Sequence, residues 1–204
     1  MIAFVAEFGV AAAINSVLLF AAVTVVRRAA VPTSLFTPRS AVALGLWTLC
    51  ETELAGRAMH IPQLISFCVL TGAIGVSVVT DVKAGYILDV ITIPSLLVAC
   101  LMSAFAGNEI DVLTGAVYGS LPILLMYVIS RGGGIGLGDA KLAACVGALL
   151  GPKQVLVSIG LAFILGAFVA IMLLITHRAD RKSSVPFAPY LMAGTLAVLS
   201  FVSA

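Results

Sequence analysis

The chain has 204 residues, of which 62% are hydrophobic and only 10% are charged. A soluble domain carries roughly 25% charged residues and buries only about 70% of its surface at this length, so it could not shield this much apolar surface from water. With a formal net charge of +2, the chain is predicted to be neither a soluble domain, nor a disordered chain, nor a nucleic-acid-binding protein, but a polytopic integral membrane protein.

Helices that cross a bilayer need about 20 predominantly apolar residues. Read in chain order, the apolar segments predict eight of them. They cover residues 2–26, 40–55, 61–80, 87–106, 112–130, 140–150, 155–176 and 186–204. The second contains Glu51 and Glu53, and the sixth is short because Gly151-Pro152 ends it. The first segment has neither the basic N-terminal region nor an obvious cleavage site of a signal peptide, so we expect it to be retained.

The placement of the basic residues supports this count, although hydropathy alone allows six to eight spans. With eight spans and the N-terminus outside, only Arg57 and Lys153 lie on the outer side. The nine on the cytoplasmic side are Arg27, Arg28, Arg39, Lys83, Arg131, Lys141, Arg178, Arg181 and Lys182. Basic residues favour the cytoplasmic side of membrane proteins. We therefore predict an all-α transmembrane helix bundle of about eight spans, one domain over residues 1–204, with both termini outside and a short cytoplasmic connector at 27–39.

Four cysteines, at positions 50, 68, 100 and 145, lie far apart within apolar segments. Without a C-x-x-C pair they match neither a zinc site nor a redox motif, and cysteine in such surroundings behaves as a small hydrophobic residue. We therefore predict no metal site and no cofactor.

Two aspartates stand out among the acidic residues. An ionisable group near a membrane helix is costly and is therefore a functional candidate. Asp180 lies among basic loop residues and is interpreted as a solvated charge, and Glu7 as a side chain that reaches the lipid headgroups. Asp81 and Asp139 instead lie at the predicted cytoplasmic boundary, each within a distinctive local sequence.

A glycine-rich loop over residues 131–139 leads into the second aspartate, and five of the seven residues from Gly132 to Gly138 are glycine. Because glycine allows another chain to approach closely, the loop could admit an extended peptide to Asp139, with Gly136 and Gly138 beside it. It is not a phosphate-binding loop, since no G-K-[ST] follows. A plain flexible connector explains the glycines equally well at this point.

Two carboxyl groups that meet in a medium of low dielectric constant suggest an aspartic protease. Like charges so close together cannot both ionise, so one carboxyl stays protonated while the other acts as a base. The base deprotonates a water that attacks the scissile carbonyl, and the acid polarises the carbonyl oxygen and supplies a proton to the leaving amine. Both aspartates lie on the same predicted side of the membrane, as this chemistry requires.

These residues resemble the type IV prepilin leader peptidases, a family of membrane aspartic proteases with a G-x-G-D motif. Residues 136–142, with the sequence G-L-G-D-A-K-L, match the family's G-x-G-D-x-K-L stretch. Asp81, followed at similar spacing by I-L-D and T-I-P within residues 87–94, resembles its first aspartate motif, with Leu88 where the family usually has proline.

Two further stretches extend the resemblance over most of the chain. Residues 186–191, with the sequence P-F-A-P-Y-L, resemble the family's P-F-G-P-[FY]-L motif, with Ala188 in place of glycine. Residues 14–17 (I-N-S-V), followed by Arg27-Arg28, resemble its L-N-V…R-L-P motif.

The resemblance implies that Asp81 and Asp139 form a catalytic pair. It implies removal of a short basic leader from pilin-like precursors at the cytoplasmic face of a bacterial inner membrane, with prepilin-like proteins as partners. Longer members carry a cysteine-rich zinc-binding insert and also N-methylate the new terminus. The connector at 27–39 has no cysteine, so we expect a short form without zinc, in which N-methylation is doubtful.

Three charged residues near the aspartates have two interpretations each. Lys83 and Lys141 could favour ionisation of the aspartates, but membrane anchoring on the cytoplasmic side is preferred. Asp89 could attract a basic leader, but a cap on the following helix is preferred. A G-x-G-D protease for other membrane substrates and a small transporter or assembly factor remain alternatives. The sequence does not contain the precursor's identity or the oligomeric state.

Overall fold

The computed structural model describes residues 61–176 and 186–202, and it is helical with no strand over these two ranges. Its six helices are α1 (Ile61–Ala84), α2 (Asp89–Ala106), α3 (Glu109–Ile129), α4 (Leu137–Leu150), α5 (Pro152–Ile175) and α6 (Ala188–Val202). Four of them, α1, α2, α3 and α5, are long and apolar enough to cross a membrane. The protein is therefore a helical membrane protein. The first two predicted spans lie outside the described residues, so the count of eight and the sides of the termini stay predictions.

The observed helices differ from the predicted spans mainly at their ends, where the terminal turns include polar residues that the predicted spans left out. The first described helix continues one turn past residue 80, so Asp81 lies inside α1. That helix ends at Gly85, whose φ of +70° is a left-handed conformation that glycine adopts without strain. The Gly85 N–H donates to the carbonyl of Asp81 at 2.9 Å. The chain therefore leaves the helix axis at Gly85, one turn after Asp81.

Helix α4 is the centre of the described bundle because it packs against all five other helices. Most of its side chains are buried, including Leu142 and Val146, which join Ile74 of α1 and Leu191 of α6 in the larger hydrophobic cluster. At 14 residues, α4 is about 21 Å long. The G-x-G-D segment begins this central helix at the end of the bundle, where Gly136 and Leu137 are exposed and Asp139 is half-buried.

The closest helix contact joins α3 to α4 through small residues. A Cβ atom on Gly115 would overlap the carbonyl oxygen of Gly147, and one on Gly147 would overlap that of Gly115. One turn along, a Cβ on Gly119 would overlap the carbonyl oxygen of Ala143. Small residues at such positions let two membrane helices approach backbone to backbone. This contact fixes the position of the helix that carries Asp139.

Candidate active site

A cavity of about 550 Å³ lies at the end of the bundle where α1 finishes and α4 begins. Asp81 and Asp139 both line it, so the two aspartates singled out by sequence are brought to one site. The rest of its wall comes from the end of α1, the glycine-rich loop, the middle of α5 and the segment before α6. These other residues are Val82, Lys83, Gly85, Gly132, Gly133, Gly134, Ile135, Gly136, Phe163, Pro186 and Phe187.

Asp81 is held by the helix that begins more than a hundred residues later. The backbone N–H of Ala188, the first residue of α6, donates to Asp81 Oδ2 at 2.9 Å. Only 8% of Asp81 is exposed, so a direct partner replaces the water that a surface carboxylate would have. An N–H at a helix N-terminus favours the ionised carboxylate. Because the backbone supplies this bond, alanine at position 188 preserves what glycine would provide.

Ala188→Pro tests this hydrogen bond. Proline has no N–H but is tolerated at the first position of a helix, so the substitution deletes the donor while α6 can still form. For the peptide cleavage that the sequence predicts, we expect the rate to fall about 10- to 100-fold, since a bond to a charged group contributes about 1.5–3 kcal/mol. The measurement is the initial rate on a pilin-like precursor in membranes. Ala188→Gly, which keeps the N–H, is the matched control; equal rates for the two variants would contradict the role of the bond.

Asp139 lies in the first turn of α4, before the apolar part of that helix. Its Oδ2 atom accepts the backbone N–H of Gly136 at 3.1 Å, and its own N–H donates to the Gly136 carbonyl at 3.2 Å. This reciprocal pair starts the helix in the way a capping box does, with backbone groups of glycine in place of a side chain. Gly136 therefore has a structural role in orienting Asp139.

Burial raises the pKa of Asp139 from 3.8 to about 6. Removal of the carboxyl from water is the main cause, and the negative charge of Asp81 acts in the same direction. The Gly136 N–H opposes the shift because it favours the ionised form. The charge of Asp81 therefore adds to the effect of burial on the pKa of Asp139.

One wall of the cavity is apolar, and part of it could not be recognised from the sequence. The rings of Phe163 and Phe187 have centroids 5.1 Å apart and pack at 39° to each other. Phe187 belongs to the P-F-A-P-Y-L motif, but Phe163 lies within an ordinary apolar helix and was not singled out. Gly132, Gly133 and Gly134 also line the cavity and contribute no side chains to its wall. The cavity therefore combines an aromatic surface with a stretch lined by backbone alone.

The other predicted site residues do not line this cavity. Gly138 packs closely against Ile87, where an added Cβ would be 3.0 Å from that side chain. Lys141 Nζ and Asp89 Oδ2 form an ion pair at 2.6 Å that joins α4 to α2. Leu88, not Asp89, occupies the N-cap position of α2, so the preferred interpretation of Asp89 as a cap is wrong. Its carboxylate lies in the first helical turn, where a negative charge is favourable.

No group of three or more His, Cys, Asp or Glu side chains within residues 61–176 and 186–202 could hold a metal ion. Each of the two aspartates has one backbone donor, the Gly136 N–H for Asp139 and the Ala188 N–H for Asp81.

The fold and the site together define a helical membrane protein with two carboxyl groups facing one cavity. Residues 64–171, more than half of the chain, match the model of the type IV leader peptidase family. The chain belongs to this family.

Curated relatives agree. The prepilin leader peptidase/N-methyltransferase of Burkholderia pseudomallei (strain 1026b) is 35% identical over 128 residues, which is 59% of this chain and 41% of the relative. The Pseudomonas aeruginosa protein of the same name is 34% identical over 119 residues, 54% of this chain and 41% of the relative. The Bacillus subtilis (strain 168) protein of the same name is 33% identical over 100 residues, which is 49% of this chain and 38% of the relative. The match thus spans less than half the length of these relatives. No solved structure matches the chain.

Proposed function

We propose that the chain is a membrane aspartic endopeptidase that removes the leader peptide from type IV pilin-like precursors at the cytoplasmic face of a bacterial inner membrane. The observation that carries the proposal is that Asp81 and Asp139 line one cavity and interact electrostatically. Membership in the type IV leader peptidase family and relatives named prepilin leader peptidase/N-methyltransferase support the substrate class.

The proposed reaction needs one proton shared between the two carboxyls. The ionised carboxylate takes a proton from a water molecule, and the resulting hydroxide attacks the scissile carbonyl carbon. The protonated carboxyl donates to the carbonyl oxygen, which stabilises the tetrahedral intermediate. Collapse of this intermediate breaks the C–N bond, and a proton passes to the leaving amine. The pair ends the cycle with one proton, as it began.

The walls of the cavity suit an extended segment of a precursor. A peptide bond can reach the aspartates only where the chain has no helix around it, and the side-chain-free wall of Gly132, Gly133 and Gly134 leaves room for such a backbone. The aromatic pair of Phe163 and Phe187 provides an apolar surface in the same cavity. Lys141 and Asp89 form an ion pair with each other. We therefore infer that they hold α4 against α2 and do not bind the leader.

The pH dependence follows from the protonation of Asp139. Its proton is the acid in the proposed reaction, and its pKa of about 6 means that this proton is lost above that pH in the free protein. We expect kcat/KM to fall about tenfold per pH unit above pH ~6, since kcat/KM reports the free enzyme. The measurement is the rate at low precursor concentration, from acidic to mildly alkaline pH. A kcat/KM that rises through pH 6 and then stays level would mean that both carboxylates act in the ionised form.

Co-expression with a set of candidate pilin-like precursors tests the function. Leader removal is read by mass spectrometry, and membranes without the protein are the control. We expect loss of the leader from at least one precursor, with an unmethylated new terminus, because the connector at 27–39 has no cysteine. Cleavage of unrelated membrane proteins alone would favour a G-x-G-D protease with other substrates. A verified partner precursor left intact would favour a transporter or an assembly factor.

A further inference from the structure

Ser77 is the one buried hydroxyl in the described residues that has no hydrogen-bond partner. Only 1% of the residue is exposed, and its Oγ atom contacts neither a donor nor an acceptor. A polar group that is buried without a partner lowers the stability of a protein, and each such group calls for an explanation. Ser77 lies on α1, four residues before Asp81.

The other buried hydroxyls within residues 61–176 and 186–202 show that this state is avoidable. A serine or threonine inside a helix can donate to a backbone carbonyl three or four residues earlier. The hydroxyl of Ser95 does so to Ile91 at 2.7 Å, and that of Ser103 does so to Cys100 at 2.7 Å. The remaining buried hydroxyls, all with partners, belong to Thr71, Thr80, Thr92, Ser158 and Thr195. Ser77 is therefore the exception, and its hydroxyl is available to another group.

Helix geometry identifies Asp81 as that group. Residues four apart lie on the same helix face with Cβ atoms about 5–6 Å apart. The side chain of a helical residue also leans toward the helix N-terminus, which directs Asp81 toward Ser77. Both residues are buried, on the face whose Ile74 packs against α4 and α6. The Ala188 N–H engages Oδ2 of Asp81, and a carboxyl group has a second oxygen to satisfy.

We propose that Ser77 is a positioning residue for Asp81, with its hydroxyl serving the second carboxyl oxygen across one water molecule. This inference rests on the proposed peptidase function. The two partners of Asp81 differ in kind. The Ala188 N–H can only donate, so it serves the ionised carboxylate, whereas a hydroxyl donates to the ionised form and accepts from the protonated form. A carboxyl that gains and loses a proton in each cycle keeps Ser77 as a partner throughout.

Ser77→Ala is the decisive variant because it removes only an oxygen atom. In the membrane-embedded full chain we expect kcat for a cleaved precursor to fall about tenfold with KM unchanged, as for loss of one hydrogen bond in the transition state. We also expect the pH–rate profile to move, because the substitution changes the surroundings of the Asp81 carboxyl. Asp139 and Lys83 are the other titratable groups at this cavity. Ser77→Thr, which restores a hydroxyl, should recover most of the rate. Ser95→Ala is the matched control, because its hydroxyl is buried but bonded to its own helix.

A merely structural Ser77 would give the opposite result. Deletion of an unpaired buried hydroxyl would then stabilise the protein and leave both kcat and the pH profile unchanged, and this outcome would overturn the proposal. An infrared titration without substrate separates the inference from the function. The carboxyl band of Asp81, assigned by its loss in Asp81→Asn, should titrate differently in Ser77→Ala. If the wild type cleaves no precursor, an altered band still supports the contact, and an unaltered band rejects it.

Discussion

Asp81→Asn and Asp139→Asn should each reduce precursor cleavage by at least about a thousandfold. Each substitution removes one of the two carboxyls between which the reaction moves its proton, while the amide has nearly the same shape. General acid–base catalysis contributes a factor of about 10²–10⁴ in rate per group. When two groups act as a unit, loss of either one costs about as much rate as loss of both. The measurement is the rate of leader removal at equal membrane abundance, with the double variant included. A double variant no slower than either single variant is expected.

The control for these substitutions is a carboxylate at the other end of the bundle. Asp111 lies in the first turn of α3 and lines a different cavity, beside Asn108 and Gly151. Asp111→Asn should therefore keep the wild-type rate. Normal cleavage by Asp81→Asn or Asp139→Asn would exclude the dyad mechanism.

Stability separates a catalytic from a structural role at Asp139. Its pKa is raised from 3.8 to about 6 on folding, so ionisation costs stability, and this cost is absent below pH 3.8 and complete above pH ~6. Asp139→Asn avoids it while its amide oxygen can still accept the Gly136 N–H. We expect this variant to unfold at a slightly higher temperature than the wild type at pH 8, while it has lost activity. Such a trade of stability for function is typical of active sites.

Gly147→Ala should give the largest loss of stability of any single methyl group added to the described helices. The added Cβ would overlap the backbone carbonyl of Gly115, and a helix backbone cannot move aside as the end of a flexible side chain can. Overpacking of this kind costs about 1–3 kcal/mol. For a chain of this length that corresponds to a fall in Tm of about 3–10 °C. The measurement is thermal unfolding in detergent.

Gly72→Ala is the matched control for that substitution. It adds the same methyl group to a glycine inside α1, where no atom lies within 4 Å of the new Cβ. Because alanine favours the helix over glycine by about 1 kcal/mol, we expect an unchanged or slightly higher Tm. Equal behaviour of the two variants would mean that α3 and α4 do not approach as closely as described. Activity should fall in Gly147→Ala alone, since α4 carries Asp139.

Much of the described fold could be predicted from hydropathy, because lipid selects long apolar helices whatever their neighbours are. The apolar segments from residue 61 onward correspond to the six helices. The ends were less predictable, since a helix in a bundle can take polar residues into its first or last turn. Glu109 and Asp111 thus begin α3, and Asp81 lies inside α1. The central place of α4 was not predictable, because its burial depends on helices distant in sequence.

The site was predictable where the chemistry lies in named side chains and not where it lies in the backbone. Asp81 and Asp139 were identified because ionisable groups near membrane helices are rare and because they belong to recognisable motifs. The Ala188 N–H and the packing of Phe163 on Phe187 depend on contacts between distant segments, which a single sequence does not contain. The ion pair of Lys141 with Asp89 was missed for the same reason, as its partners are 52 positions apart.

The hydrogen bond from Ala188 to Asp81 has a consequence for the biogenesis of the protein. The two residues are 107 positions apart, and a ribosome adds about 5–20 residues per second. Roughly 5–20 s of translation therefore pass between Asp81 and its partner. During that time the helices with both aspartates can enter the membrane, but Asp81 lacks its backbone donor and one wall of the cavity is missing. The nascent chain thus carries an incomplete site, and the arrival of α6 completes it.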